Sequence, residues 1–157
     1  MKKILSLPYI FVLVLSLMLV GCQGGETVKI GTLLDKTGDL GSYGPPMEVG
    51  ADLAIQLLQD AGMDIVKVPG DSGTANQKSI AEATRLIDIE GVSAIVGSLS
   101  SGVTMATATA VTIPKNIPIM SPASTSPAIS TMADNDTVFR STVSDAAQGV
   151  VLARFAW

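Results

Sequence analysis

The sequence predicts an α/β fold built on a mostly parallel, doubly wound sheet. Three observations carry that expectation. Short apolar runs alternate along the chain with segments of helical periodicity. The runs are apolar almost throughout, as in strands buried on both faces, and do not alternate with polar residues. Loops rich in Gly, Pro and Ser close most of the runs, so each strand–helix pair reads as a βαβ unit.

The elements follow in order. Residues 28–34 (VKIGTLL) form a first strand, and residues 35–46 (DKTGDLGSYGPP) form a loop with three glycines and two prolines. From Met47 to Ala61 the pattern turns helical, with Val49, Leu53 and Leu57 at i, i+4 and i+8, flanked by Ala54 and Leu58. Pro45 and Pro46 suit a first helical turn, where a missing N–H costs nothing. Residues 64–68 (DIVKV) form a second strand, which Pro69 and Gly70 are expected to end. Asn76 is placed to cap a helix running to Glu90, with Ile80, Ala83 and Ile87 inward. Residues 92–97 (VSAIVG) are the third strand. Residues 102–113 are a small-residue helix stopped by Pro114, and residues 117–121 (IPIMS) are the fourth strand. A loop, a short helical turn over 128–132 and a fifth strand over 137–140 follow. A last helix starts near Asp145 and runs to Trp157.

The N-terminus stands apart from this pattern. Lys2 and Lys3 precede an apolar stretch from Ile4 to Val20, closed by LVGC at residues 19–22. Basic, apolar and small-residue regions in that order are the signature of a secretory signal over residues 1–21. The run carries Pro8 and leads into Gly24, Gly25 and Glu26, which argues against a spanning helix. LVGC resembles the bacterial lipobox, which implies cleavage between Gly21 and Cys22 and lipid attachment to the Cys22 thiol. Such an anchor holds a soluble domain at a membrane without spanning it. Residues 22–27 then serve as a tether.

Composition excludes several functions. Among 157 residues there is no histidine and one cysteine. A Ser-His-Asp triad, a Cys-His dyad and a His- or thiolate-ligated metal site are therefore absent, and no cofactor is implied. Removing Lys2 and Lys3 with the leader leaves eight basic against fourteen acidic residues, a net charge of −6. No basic patch speaks for nucleic acid as a partner.

Ligands of such sheets lie beyond the carboxyl ends of the strands, which singles out loops 35–44, 98–104 and 122–127. GSLSSG at residues 97–102 is neither a nucleophile elbow nor a P-loop, and the first loop lacks a dinucleotide fingerprint. What it offers is small hydroxyls and N–H groups opening a helix, which suit a carboxylate. The plainer reading is that Ser100 or Ser101 caps the helix. In MSPASTSP at residues 120–127, Pro122 and Pro127 stiffen a loop that can present a carbonyl to an ammonium and a donor to a carboxylate.

Five fragments in order carry a resemblance: TGDLGSYG (37–44), GDSGTANQ (70–77), IVGSLSSGVT (95–104), PIMSPASTSP (118–127) and FRSTVSDAAQG (139–149). Together they resemble the N-terminal lobe of type I periplasmic binding proteins, in the leucine/isoleucine/valine-binding branch that serves ABC transporters. The resemblance implies a Rossmann-like lobe over residues 28–142, with residues 143–157 opening a second lobe that is otherwise missing. It implies that Ser101 binds an amino acid's carboxylate, that Ala123 contributes backbone, and that Thr125 contributes hydroxyl and N–H. Tyr43 would line the mouth of the cleft. The implied protein is a non-catalytic, lipid-anchored solute-binding component working with an ABC permease. It would sit in the periplasm of a Gram-negative cell or on the outer face of a Gram-positive membrane. Amides, urea or aromatic acids are alternative ligands, and a sensor ectodomain is an alternative role. One departure is the short DAGMDIVKV connection at residues 60–68, which leaves the pairing of the second strand open. Apolar residues of the last helix, from Val150 to Trp157, are expected to lack a partner.

Overall fold

A computed structural model describes residues 26–157. The expected leader, the lipid-attachment residue Cys22 and most of the tether lie outside the described residues. Strands β1 (Val28–Leu34), β2 (Ile65–Asp71), β3 (Ala94–Gly97), β4 (Ile119–Ser121) and β5 (Val138–Arg140) form one sheet, in the order β2-β1-β3-β4-β5. All four pairings are parallel. The helices are α1 (Gly44–Asp60), α2 (Asn76–Asp88), α3 (Ser101–Thr107) and α4 (Asp145–Ala156). A π-turn over Ala108–Thr112 prolongs α3, and a 3₁₀ turn spans Pro127–Thr131.

Side chains alternate across each strand, and the two sheet faces differ. On one face the row Ile95–Ile119–Val138 joins Leu33, and Ala83 and Leu86 of α2 with Ala108 and Val111 of the π-turn pack over it. Burying a Leu or Ile here contributes about 1.5–3 kcal/mol each. The other face carries the row Thr32–Val96–Met120–Phe139. There α1 lies over β1 and β2, leaving Met120 and Phe139 45% and 44% exposed. An apolar groove of about 340 Å³ remains beside α1, lined by Ile30, Leu34, Ala51, Ile55 and Val96 among others.

Several expected boundaries shift. β2 does not stop at Pro69 but runs to Asp71, because it is an edge strand, where a proline's missing N–H leaves the ladder intact. Its seven-residue register against β1, from Val28↔Ile65 to Leu34↔Asp71, settles the open question of its pairing. The short connection works because Gly62 takes φ +90° just past α1, and the Met63 N–H closes back on the Leu58 carbonyl at 3.1 Å. Asn76 is not a cap. Ala75 holds that position without a side-chain bond, and Asn76 is the first residue of α2. The α1 stripe Val49–Leu53–Leu57 faces solvent at 68%, 57% and 60% exposure, since the sheet takes the helix face bearing Ala51 and Ile55. No residue of α4 is buried, so its apolar side chains from Val150 to Phe155 are unpartnered among the described residues.

The β1 loop is tied to the β2 end by Asp71. Its carboxylate accepts from Lys36 N–H (2.9 Å), Thr37 N–H (3.2 Å), Thr37 Oγ1 (2.7 Å), Gly73 N–H (3.0 Å) and Lys78 Nζ (2.5 Å). Burial works to raise its pKa, but the Lys78 and Thr37 side chains with the backbone donors outweigh it. They hold the carboxyl well below the usual range. The stability this supplies is fully present above the unfolded value, declines as pH falls below it, and is gone once pH has passed through the depressed folded one.

Candidate functional site: the carboxyl ends of β1, β3 and β4

With this strand order the chain leaves β1 toward β2 on one side and toward β3 on the other. The crevice of a doubly wound sheet therefore lies at the β1/β3 ends. All three expected loops emerge at this end of the sheet, from β1, β3 and the neighbouring β4. The residue at its centre is Asp35, fully buried just past β1. Its carboxylate accepts from Ser72 Oγ, from Thr74 Oγ1 at 2.7 Å and from the Leu99 N–H at 3.2 Å. Thr74 Oγ1 in turn accepts from the Leu40 N–H at 3.0 Å, so one side chain ties together the loops after β1, β2 and β3.

Ser101 opens α3. The N-cap position belongs to Ser100, which makes no capping bond with its side chain. Neither serine caps the helix through its hydroxyl. Ser101 Oγ instead accepts from the Ser126 N–H at 3.2 Å, across to the β4 loop. That bond uses a lone pair and leaves the hydroxyl hydrogen free to donate. The N–H groups of the first turn of α3 have no partners within the helix.

The β4 loop holds Ala123 and Thr125. The N–H groups of Ala123 (3.4 Å) and Ser124 (3.0 Å) both point at Ser121 Oγ, so these two are used inside the loop. The Ala123 carbonyl and the Thr125 N–H have no hydrogen-bond partner among the described residues. Thr125 is held from the other side: its Oγ1 donates to Asp145 Oδ2 at 3.0 Å, and its carbonyl accepts from the Asp145 N–H at 2.9 Å. Asp145, at the start of α4, thus places an exposed carboxylate beside Thr125.

The structure therefore brings Ser101, Ala123 and Thr125 to one end of the sheet and links Ser101 directly to their loop. Tyr43 is set apart. It is the N-cap residue of α1, 57% exposed, and no hydrogen bond links its side chain to the other three. Sequence reasoning missed Asp35 and Asp145. The signal for Asp35 was an acid ending the apolar run TLLD; for Asp145 it was the SD pair opening a helix. Among the described residues no group of three or more metal-ligating side chains occurs.

A family model described as "Periplasmic binding protein" matches residues 27–157. The chain belongs to that family. As a periplasmic binding protein it has the α/β fold of a type I lobe. The family is one of extracytoplasmic, generally non-catalytic substrate-binding proteins. A Brucella abortus Leu/Ile/Val-binding protein homolog is 38% identical over 79 residues, 48% of this chain and 20% of that protein. The Streptococcus pneumoniae branched-chain amino acid transporter substrate-binding protein, solved with isoleucine, is 29% identical with a TM-score of 0.70. The match covers 76% of this chain and 35% of that one. A Rhodopseudomonas palustris solute-binding protein solved with benzoate is 28% identical with a TM-score of 0.66, over 76% of this chain and 33% of that one. The chain thus spans about a fifth of the curated relatives' length and about a third of the solved ones.

Proposed function

We propose that this periplasmic binding protein is the first lobe of an extracytoplasmic solute-binding lipoprotein of an ABC importer, taking branched-chain or related amino acids. The observation that carries the reading is the set of free groups beyond the carboxyl ends of β3 and β4. The Ser101 hydroxyl hydrogen and the Thr125 N–H suit a carboxylate. The Ala123 carbonyl and the Asp145 carboxylate suit an ammonium close by. An α-amino acid presents those two charges on one carbon. The isoleucine-bound relative supports that ligand class. A second lobe, which the resemblance implies, closes over the ligand by a hinge. The closed form then engages the permease, and Tyr43 lines the cleft mouth. Cys22 carries the lipid that keeps the protein at the membrane; labelled palmitate incorporated into wild type and lost in Cys22→Ser tests that anchor.

The lobe alone makes half the contacts, so its affinity falls in the millimolar range, about −4 kcal/mol. Titration of the protein with leucine, isoleucine and valine, followed by amide chemical shifts, is expected to give saturable shifts at Ser101, Ala123 and Thr125. Ser101→Ala is expected to weaken binding about tenfold, the value of a hydrogen bond to a charged group. Flat shifts up to tens of millimolar in all three titrations would sink the reading. The benzoate-bound relative favours one second reading, an aromatic acid on the same donors. Benzoate lacks the ammonium, so Asp145→Asn separates the two: it weakens leucine and leaves benzoate unchanged.

A further inference from the structure

The stretch from Gly97 to Ser126 carries more hydroxyls than a ligand can use. Five of them, on Ser98, Thr104, Thr107, Ser121 and Ser124, are wholly buried, as is the hydroxyl of Ser79 on α2. They form one connected chain. Thr107 meets Ser79 at 2.7 Å, and Ser79 meets Ser98 at 3.1 Å, which joins α2 and α3 to the end of β3. Ser121 Oγ donates to the Ser98 carbonyl at 2.5 Å, and Thr104 Oγ1 approaches the same carbonyl at 3.1 Å. Ser124 Oγ lies 2.9 Å from Thr104 Oγ1, 2.7 Å from Ser121 Oγ and 3.2 Å from the Leu99 carbonyl. With one hydrogen apiece, these last three hydroxyls satisfy two backbone carbonyls of the β3 loop and one another. Ser121 meanwhile accepts from the Ala123 and Ser124 N–H groups.

The consequence is geometric. The backbone of one ligand loop is bonded through buried side chains to the backbone of the other. Ser101 lies three residues after the bonded Ser98 carbonyl, and Ala123 and Thr125 flank Ser124. An apolar core would have packed these positions more cheaply than six buried hydroxyls that each need a partner. We propose that Thr104, Ser121 and Ser124 are positioning residues: they set the spacing between Ser101 and the Ala123–Thr125 groups, and so set ligand affinity, without touching ligand. The proposal rests on the ligand reading above, and its test has an arm that does not.

Thr104→Val keeps the shape of the side chain and removes its hydroxyl; Thr104→Ser keeps the hydroxyl. Ser121→Ala is a second, independent cut in the same chain. In the free protein, amide hydrogen exchange at Ser124 and Ser126 is expected to rise about tenfold in Thr104→Val and Ser121→Ala. Exchange along β1 and β2 should stay within twofold of wild type. In the leucine titration both variants are expected to weaken binding at least fivefold, while Thr104→Ser stays within twofold of wild type. Exchange rising equally across the sheet would show general destabilisation and overturn the proposal. So would unchanged leucine affinity in Thr104→Val. If wild type binds no leucine, the ligand reading falls by itself, and the exchange pattern still decides whether these hydroxyls hold the loops.

Discussion

Replacing Asp35 with alanine is expected to lower the unfolding free energy by roughly 3–5 kcal/mol, a large share of the 5–15 kcal/mol typical of a domain. The carboxylate is fully buried and accepts from three donors, the Ser72 and Thr74 hydroxyls and the Leu99 N–H. Alanine leaves all three unpaired. Each unsatisfied buried donor costs about 1–3 kcal/mol, and only the hydroxyls can turn to look for another acceptor. The Leu99 N–H is fixed by the backbone and cannot. Asp35→Asn should cost about half as much, since its amide oxygen still serves Leu99 and Ser72. Its new N–H₂ group then faces Thr74 Oγ1, which already accepts from Leu40. Urea denaturation of the three proteins measures the order wild type, Asn, Ala. An alanine variant within 1 kcal/mol of wild type would mean that the loops do not depend on Asp35. Because Leu99 lies two residues before Ser101, the same substitution should also loosen the loop after β3.

The sheet was legible because its strands are short apolar runs with Gly, Pro or Ser at their ends, and period alone finds those. The β2 boundary was not, because Pro69 and Gly70 break a strand only where both edges are paired, and sequence does not show which strand lies at the edge. The outward stripe Val49–Leu53–Leu57 misled for a related reason. Helical period says that a face is apolar, not that the sheet takes it, and on this side α1 is the sheet's one helical cover among the described residues.

At the site, Ser101, Ala123 and Thr125 could be placed at the right end of the sheet by the rule for parallel strands. Their mutual geometry could not, because it depends on bonds that cross long stretches of chain. Ser126 reaches back 25 residues to Ser101, and Thr125 reaches forward 20 to Asp145. Asp35 is the extreme case, with a partner 64 residues away. A buried acid at a strand end announces that something must satisfy it, and only the fold says what. Ser121 shows the same limit in a small residue: in sequence it is one more serine before a proline, whereas in the fold it bonds two loops at once.

Gly97→Ala is expected to be strongly damaging for a single added methyl, costing roughly 4 kcal/mol or more. Gly97 ends β3 opposite Leu33 of β1, at the switch point itself. Its φ is +139°, a conformation that side-chain-bearing residues rarely adopt. A Cβ there would stand 2.2 Å from the Leu33 carbonyl oxygen and 2.6 Å from its carbon. Both are backbone atoms, so no rotamer change relieves the clash. Relief requires the ends of β1 and β3 to part, which pulls Leu99 from Asp35 and the Ser98 carbonyl from Ser121 in the same movement. The control is Gly102, five residues on in α3, where an added Cβ meets nothing within 4 Å. Gly102→Ala should therefore gain about 0.5–1 kcal/mol from helix propensity. Opposite signs for two Gly→Ala changes in one hydroxyl-rich segment are a sharp outcome for thermal or urea unfolding to check. Equal, small effects at both positions would mean that β1 and β3 do not approach so closely, and the crevice would lose the contact that shapes it.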